Sequence, residues 1–242
     1  MPVSATAVPC LSDNYAWLLR DEATGTVALC DPGEAAPIIA ALEAAGGRCD
    51  LILLTHHHGD HVAGVAEVQA RFGSRVVGAA ADAHRLPKLD IALRPGEAAA
   101  VGATKGVVID TPGHTVGHIA FHFPEGGVLL CGDTLFSLGC GRLLEGNAAQ
   151  MHGSLQALAA LPEATLVCCG HEYTESNARF ALTVEPDNAA LRARAAEVKA
   201  QRAAGQATVP TTLAQEKAAN PFIRARDVAR LAEIRTAKDN FR

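Results

Sequence analysis

The sequence lacks the features of a membrane-bound or exported protein. No apolar run approaches the roughly 20 residues that a membrane-spanning helix needs, and residues 1–10 have neither a basic start nor a long apolar stretch. We therefore expect no signal peptide, no membrane partner and a cytoplasmic location. The seven cysteines include no Cys-x-x-Cys pair, so a zinc ribbon and a thioredoxin-like motif have no support, and reduced, mostly buried thiols are expected.

Aromatic side chains and positive charge are scarce over most of the chain. Aromatic residues make up 4% of the sequence, and residues 1–188 carry 10 Lys and Arg against 21 Asp and Glu. An acidic body without a basic, aromatic-rich face argues against a nucleic-acid partner. Residues 189–242 reverse the balance, with 11 basic and 5 acidic side chains, and could attract an anionic ligand.

The chain has the length and composition of one large domain, or of one domain with a small appendage. It has 242 residues, of which 49% are apolar, and it is long enough to fold without a structural metal or a disulfide. Short apolar strands alternate with helices up to about residue 170, and only helices are predicted beyond it: Glu175–Leu182, Ala189–Ala204 and Asp227–Thr236. We predict an α/β catalytic domain over residues 1–170 and a helical substrate-binding domain over residues 171–242.

A histidine-rich segment at residues 55–61, Thr-His-His-His-Gly-Asp-His, is the most informative motif. It follows a buried strand predicted at Leu51–Leu54 and precedes a helix predicted over Val62–Phe72. Residues i and i+2 of an extended segment face the same side, so His56 and His58 can share one metal ion while His57 points away. Asp60 and His61 can face a second ion. Imidazole and carboxylate are the ligands of zinc and of other first-row divalent metals.

Three later segments place one more ligand each at the end of a predicted strand. His114 follows the strand at 107–110, Asp133 follows 128–131, and His171 follows 165–169. Ligands gather at strand ends in α/β proteins because the loops there converge on one edge of the sheet. Seven ligands are too many for one tetrahedral ion and suit two. The candidate metal ligands are His56, His58, Asp60, His61, His114, Asp133 and His171.

The candidate ligands occur in the order H-x-H-x-D-H, then a single His, an Asp and a last His. This order resembles that of the metallo-β-lactamase superfamily. Within it, the chain resembles the glyoxalase II family, the hydroxyacylglutathione hydrolases. The resemblance implies a four-layer αββα sandwich, an α/β fold, with a small C-terminal helical domain. The supporting stretches are Leu11–Tyr15, Thr111–His118, Gly132–Phe136, Gly139–Arg142, Gly170–Thr174, Asn220–Phe222 and Arg235–Phe241.

The same resemblance implies two divalent metal ions per chain, zinc, with iron or manganese as alternatives. One ion would be held by His56, His58 and His114. The other would be held by Asp60, His61 and His171, with Asp133 bridging the two. The implied reaction converts S-D-lactoylglutathione to glutathione and D-lactate, the second step of methylglyoxal detoxification, with Asp60 and Asp133 as catalytic residues. A hydroxide held between the ions would attack the thioester, and the thiolate, with a conjugate-acid pKa of about 8.5, can leave without a proton donor.

The resemblance also assigns substrate contacts and supporting residues. Binding of the glutathione carboxylates is implied for Arg142, Tyr173, Arg235 and Lys238. Arg142 stands where the family often has Lys, and Leu143-Leu144 replaces its aromatic pair. His57 and His118 are expected to support the metal ligands, and Asp31 to orient a ligand histidine. The glutathione thioester is the only partner expected, and the chain is expected to be a monomer.

Three other functions remain open at this point. A persulfide dioxygenase of the same superfamily would use a single iron and also carries a Gly-Cys-Gly-Arg stretch, so Gly139–Arg142 does not separate the two. The complete ligand set and the Arg235/Lys238 segment favour the hydrolase. A metal-dependent nuclease is disfavoured by the acidic body. A non-catalytic zinc module is disfavoured by a ligand set that leaves room for water.

Overall fold

The computed structural model describes residues 2–241, which form two compact units. The first unit contains the chain up to Asp110 together with Gly117–Gly132. The second contains Thr111–Val116 and the chain from Asp133 onward. Each unit is thus made of two separate stretches of the chain. The domain boundary predicted at residue 170 stays a prediction.

The first unit contains a six-stranded mixed sheet in sequential order. Its first three strands are antiparallel and the rest are parallel. Strands β3 to β5 are short, almost wholly buried apolar runs, as expected for strands covered on both faces. The strands are β1 Val3–Cys10, β2 Asn14–Asp21, β3 Val27–Cys30, β4 Leu51–Leu53, β5 Arg75–Ala79 and β6 Ile91–Leu93.

Helices and a second group of strands complete the first unit. The helices are α1 Ala35–Ala44, α2 Gly59–Val62 and α3 Val65–Phe72, with 3₁₀ turns at Ala80–Asp82 and Pro124–Gly126. Four antiparallel strands follow one another in the chain: β7 Ala98–Val101, β8 Thr104–Asp110, β9 Ile119–Phe123 and β10 Val128–Gly132.

The second unit is mainly helical, and most of its helices begin at a residue whose side chain caps the N-terminus. Asn147 and Thr212 each form a capping box with a glutamine three residues later, which satisfies two backbone donors at once. A small hairpin and one antiparallel strand pair accompany the helices. The elements are β11 Leu135–Phe136, β12 Gly139–Cys140, α4 Ala148–Ala159, β13 Leu166–Cys169, α5 Thr174–Val184, α6 Ala189–Ala203, β14 Thr211–Thr212, α7 Leu213–Ala219 and α8 Val228–Asp239.

Two structural features differ from the sequence-based expectations. The single helix predicted over 62–72 is broken: α2 ends at Val62 and α3 begins at Val65, because the Gly64 N–H donates to Pro32 O at 2.8 Å instead of continuing the helix. Secondary structure beyond residue 170 is also not only helical, since β14 pairs with β13.

All seven cysteines are buried thiols, as predicted. Within residues 2–241, no helix combines the length and apolarity that crossing a bilayer demands.

Candidate metal centre and substrate-binding residues

The loop after β4 brings two imidazoles of the first unit together. His56 is buried, and its Nε2 lies 3.1 Å from Nδ1 of His58. Two ligands about 2.1 Å from one tetrahedral ion lie roughly 3.4 Å apart. The separation therefore fits two nitrogens that share an ion, and it agrees with the expectation that His56 and His58 face the same side.

A hydrogen-bonded chain fixes the ring of His56. Its Nδ1 lies 3.0 Å from Thr55 Oγ1, and that hydroxyl donates at 2.6 Å to Asp31 Oδ2. Because the Thr55 proton goes to the carboxylate, Thr55 accepts from the Nδ1–H of His56. The lone pair of His56 is then on Nε2, the atom that faces His58. This tautomer is the one a metal ligand requires.

The same carboxylate orients His61, as predicted for Asp31. Asp31 Oδ2 accepts from His61 Nδ1 at 3.1 Å, so the lone pair of His61 is on Nε2, which lies 3.6 Å from Asp60 Oδ2. Asp31 is buried and has φ of +52°, an uncommon conformation that the Thr55 N–H also supports by donating to Oδ1 at 2.9 Å. Asn14 fixes Asp60 from the other side by donating to its Oδ2 at 3.0 Å.

The two flanking histidines have different surroundings. His118 stacks on His56, with ring centroids 4.8 Å apart and planes 24° apart. His57 points to the buried carboxylate of Asp82, whose Oδ2 lies 3.1 Å from its Nδ1. The expectation that His57 points away is therefore met only for its Nδ1, because its ring still lies beside that of His58, with centroids 4.9 Å apart.

The second unit gathers the other three predicted ligands around one oxygen. Asp133 Oδ2 lies 3.5 Å from Nε2 of His114 and 3.3 Å from Nε2 of His171, and all three side chains are buried. The Nδ1 of His114 donates to the carbonyl oxygen of Arg142 at 2.9 Å, so its lone pair is also on Nε2. Each unit thus holds His and Asp side chains whose donor atoms suit divalent ions.

Two of the predicted substrate-binding residues lie partly in solvent. The Arg142 side chain is 69% exposed, and its Nε lies 3.7 Å from Asp239 Oδ1. Tyr173 stacks on His171, with centroids 4.5 Å apart and planes 5° apart, and its ring is edge-on to Phe136. Arg142 is therefore a cation that a ligand can reach, and Tyr173 lies directly against a predicted metal ligand.

Lys238 lies in a half-buried, partly aromatic environment. Its Nζ donates to the carbonyl oxygen and the hydroxyl of Ser176 at 3.2 and 3.1 Å, and lies about 5.5 Å from the rings of Phe180 and Phe241. Burial, with the nearby charges of Arg235 and Arg179, lowers the pKa of Lys238 to about 8. This lysine can change its charge near neutral pH.

Arg235 is not placed as an exposed ligand-binding cation. It is 5% exposed, donates to the carbonyl oxygen of Cys140 and to Asp239 Oδ1, each at 2.8 Å, and lies over the ring of Phe222. The sequence interpretation treated Arg235 and Lys238 as equivalent, since helical spacing alone does not separate a buried from a half-buried position. Substrate binding by Arg235 stays a prediction, whereas its contact with the Cys140 backbone is a structural finding.

Comparison with known proteins identifies the family. The model of the metallo-β-lactamase superfamily matches residues 12–171, and the model of the hydroxyacylglutathione hydrolase C-terminus matches residues 172–241. The chain is 58% identical over 236 residues to a hydroxyacylglutathione hydrolase of Acidiphilium cryptum, covering 98% of this chain and 96% of that one. This chain belongs to the hydroxyacylglutathione hydrolase family. A further member, from Ruegeria pomeroyi, is 53% identical over 255 residues, with both chains covered completely.

Solved structures support the fold. ETHE1 from Myxococcus xanthus superposes with a TM-score of 0.73 and 25% identity, covering 100% of this chain and 92% of that one. TTHA1623, solved in a di-iron-bound form, gives a TM-score of 0.58 at 30% identity over 69% of this chain and 91% of that one. The predicted metallo-β-lactamase fold with a C-terminal hydroxyacylglutathione hydrolase segment is confirmed.

Proposed function

We propose that this chain hydrolyses glutathione thioesters, converting S-D-lactoylglutathione to glutathione and D-lactate with two bound divalent metal ions. The observation that carries the proposal is the Asp133 oxygen, which lies between His114 and His171 in a chain similar over its full length to hydroxyacylglutathione hydrolases. A carboxylate oxygen at 3.3 to 3.5 Å from two imidazole nitrogens can bind a divalent ion together with either of them, which supports the proposal that Asp133 bridges two ions.

The proposed ligand sets are those implied by the sequence. His56, His58 and His114 would hold one ion, Asp60, His61 and His171 the other, with Asp133 bridging. When bound, such a pair of ions lowers the pKa of water and stabilises negative charge on the thioester oxygen. Zinc is the proposed metal, because imidazole and carboxylate are among its usual ligands, and iron or manganese, which accept the same donors, are the alternatives.

The chain's own residues prepare these ligands. Asp31 and Thr55 hold the Nδ1 protons of His61 and His56, and the carbonyl oxygen of Arg142 holds that of His114. Each Nε2 lone pair is thereby oriented before any ion binds. Asn14 restrains Asp60, which fixes a carboxylate that would otherwise rotate.

Substrate recognition is proposed for cations and an aromatic ring of the second unit. The exposed guanidinium of Arg142 can form paired hydrogen bonds with a glutathione carboxylate. Lys238 can supply a second positive charge while it is protonated. Tyr173 stacks on His171 and is partly exposed, so its side chain can contact a substrate beside that histidine. The monomeric state and the cytoplasmic location stay predictions of the sequence.

Thioester hydrolysis with metal analysis on the same sample tests the proposal. Purified protein is incubated with S-D-lactoylglutathione, thiol release is followed, and metal content is measured. Rapid release by a sample with about two metals per chain is expected. No release by a fully metallated sample would reject the assignment. Oxygen consumption with glutathione persulfide would then test the dioxygenase alternative.

A further inference from the structure

The hairpin β11–β12, residues 135–140, links Asp133 to the helices of the second unit. It starts two residues after Asp133, and its tip is formed by Ser137 and Leu138. Leu138 has φ of +57° and is buried, so a branched side chain adopts the left-handed region that normally favours glycine. Such a conformation persists only where the surroundings enforce it.

A buried carboxylate enforces this conformation. Glu216 of α7 is 1% exposed, and its Oε2 accepts the backbone N–H of Leu138 at 2.8 Å and the Asn220 side-chain amide at 3.0 Å. Its Oε1 accepts from the hydroxyl of Thr211 at 2.8 Å. The Leu138 side chain packs in an apolar cluster with residues of α5, α6 and α7. Both the backbone and the side chain of the tip are thus held by the helices.

Amide and guanidinium groups hold the carbonyl groups of the same hairpin. The Asn177 amide donates to Ser137 O at 3.1 Å. The Asn220 amide lies 3.1 and 3.0 Å from the carbonyl oxygens of Phe136 and Gly139. Arg235 donates to the carbonyl oxygen of the last hairpin residue. Four side chains from the helical segment therefore hydrogen-bond to consecutive backbone groups of one six-residue hairpin.

The other end of the hairpin meets the three predicted ligands of the second unit. The base is closed by Gly141, whose N–H donates to Thr134 O at 3.2 Å and where an added Cβ would overlap the carbonyl of Asp133. The next residue, Arg142, accepts from His114 Nδ1. Phe136 lies edge-on to His171, with centroids 5.9 Å apart. A displaced hairpin would move all three ligands.

We propose that Glu216 is a positioning residue that orients Asp133, His114 and His171 through the hairpin. This inference rests on the proposed function, because it takes those three side chains as metal ligands. Burial of a carboxylate costs stability, but an apolar residue at position 216 would leave the Leu138 N–H without its acceptor. Loss of Glu216 would therefore displace the ligands through Leu138 and the hairpin, since Glu216 does not contact them directly.

Three variants separate this role from general stability. Glu216→Leu keeps the volume and removes the acceptor. Glu216→Gln can keep an oxygen towards Leu138 and donate its amide to Thr211, whose hydroxyl can accept. Lys217→Leu is the matched control, since it changes the next residue of the same helix and removes only an ion pair with Glu163. For each, folding is checked by circular dichroism. Metal affinity against a chelator, deuterium uptake over residues 133–142, kcat and KM are then measured.

We expect Glu216→Leu to expose the Leu138 amide to exchange, and to lower metal affinity and kcat about 10-fold, the lower end of the range for a direct partner of a metal ligand, because Glu216 acts through the hairpin. KM should change far less than kcat, and Glu216→Gln and Lys217→Leu should resemble the parent. A folded Glu216→Leu protein with parental metal affinity and kcat would overturn the inference.

If that variant does not fold, Asn177→Ala, which removes one hairpin hydrogen bond, is measured instead. Faster deuterium exchange of the hairpin with unchanged metal affinity and kcat would then overturn the inference. Faster exchange together with lower metal affinity and lower kcat would support it.

These outcomes differ from failure of the proposed function itself. That failure would appear in the parent protein, as absent metal or absent thioester hydrolysis. Failure of the positioning role would appear as an active, metal-loaded parent whose Glu216→Leu variant is equally active and equally loaded.

Discussion

At the scale of single residues, Asp133 is the side chain on which the proposed centre depends most. One of its oxygens lies within 3.5 Å of two histidine nitrogens. Asp133→Ala should therefore lower kcat by more than the roughly 10- to 100-fold cost of removing an outer partner, with a parallel loss of bound metal. Metal analysis and thiol release on the same sample measure both effects. Asp187→Ala, at an exposed position, is the control, and full activity with intact metal in Asp133→Ala would refute the bridging role.

The lowered pKa of Lys238 gives a second prediction at this scale. Its pKa of about 8 means that the ammonium is charged below that pH and neutral above it. A carboxylate of the substrate is attracted only by the charged form, so KM should rise as the pH increases through about 8. Lys238→Arg should remove this rise, because arginine stays protonated. Measuring KM across this pH range for both proteins tests the prediction. The same increase of KM in the variant would exclude Lys238 as its source.

Arg235 leads to a different expectation, although it lies three residues from Lys238. Removing its guanidinium leaves the carbonyl oxygen of Cys140 without its donor in a buried place. Arg235→Ala should lower the free energy of unfolding by about 1.5–3 kcal/mol, as for other hydrogen bonds to a charged group. Urea unfolding measures this value. Arg230→Ala, which breaks an exposed ion pair on the same helix, should cost within about 0.5 kcal/mol, and equal losses would contradict the assigned role.

At the scale of elements, the break between α2 and α3 ties a helix end to the loop that follows Asp31. Gly64 donates to Pro32 O, and a Cβ at position 64 would lie 2.8 Å from that oxygen. Gly64→Ala should therefore displace this loop, lower stability and weaken metal binding. Gly153→Ala is the opposite case: nothing lies within 4 Å of its added Cβ within α4, so it should stabilise by about 0.5–1 kcal/mol. Thermal unfolding of both variants tests the contrast, and stabilisation by Gly64→Ala would contradict the argument.

The sequence predicted the elements that carry strong local patterns. Buried strands such as β4 read as apolar runs, and the segments after them supplied the candidate ligands. The hairpin β11–β12 was not predicted, because two-residue strands carry no period and Leu138 does not resemble a turn residue. The sequence also did not predict the hydrogen bonds of Asn14 to Asp60, of Thr55 to His56 and of Glu216 to Leu138. Their roles depend on contacts between residues distant in sequence, which spacing does not show.

At the scale of the whole molecule, the chain is large enough to fold without metal, yet its proposed ligands are spread from His56 to His171. Removal of metal by a chelator should therefore leave a folded protein with a lower Tm, because an ion that binds only the native state adds about 2.7 kcal/mol at 100 times its Kd. Adding zinc back should restore both the Tm and thioester hydrolysis, as calorimetry and thiol release on one sample would show. An unfolded apoprotein would make the metals structural, and an unchanged Tm would mean that the native state binds them no better than the unfolded chain does. Because the two readouts report on stability and on chemistry separately, recovery of the Tm without recovery of hydrolysis would point to correct ligands but the wrong metal.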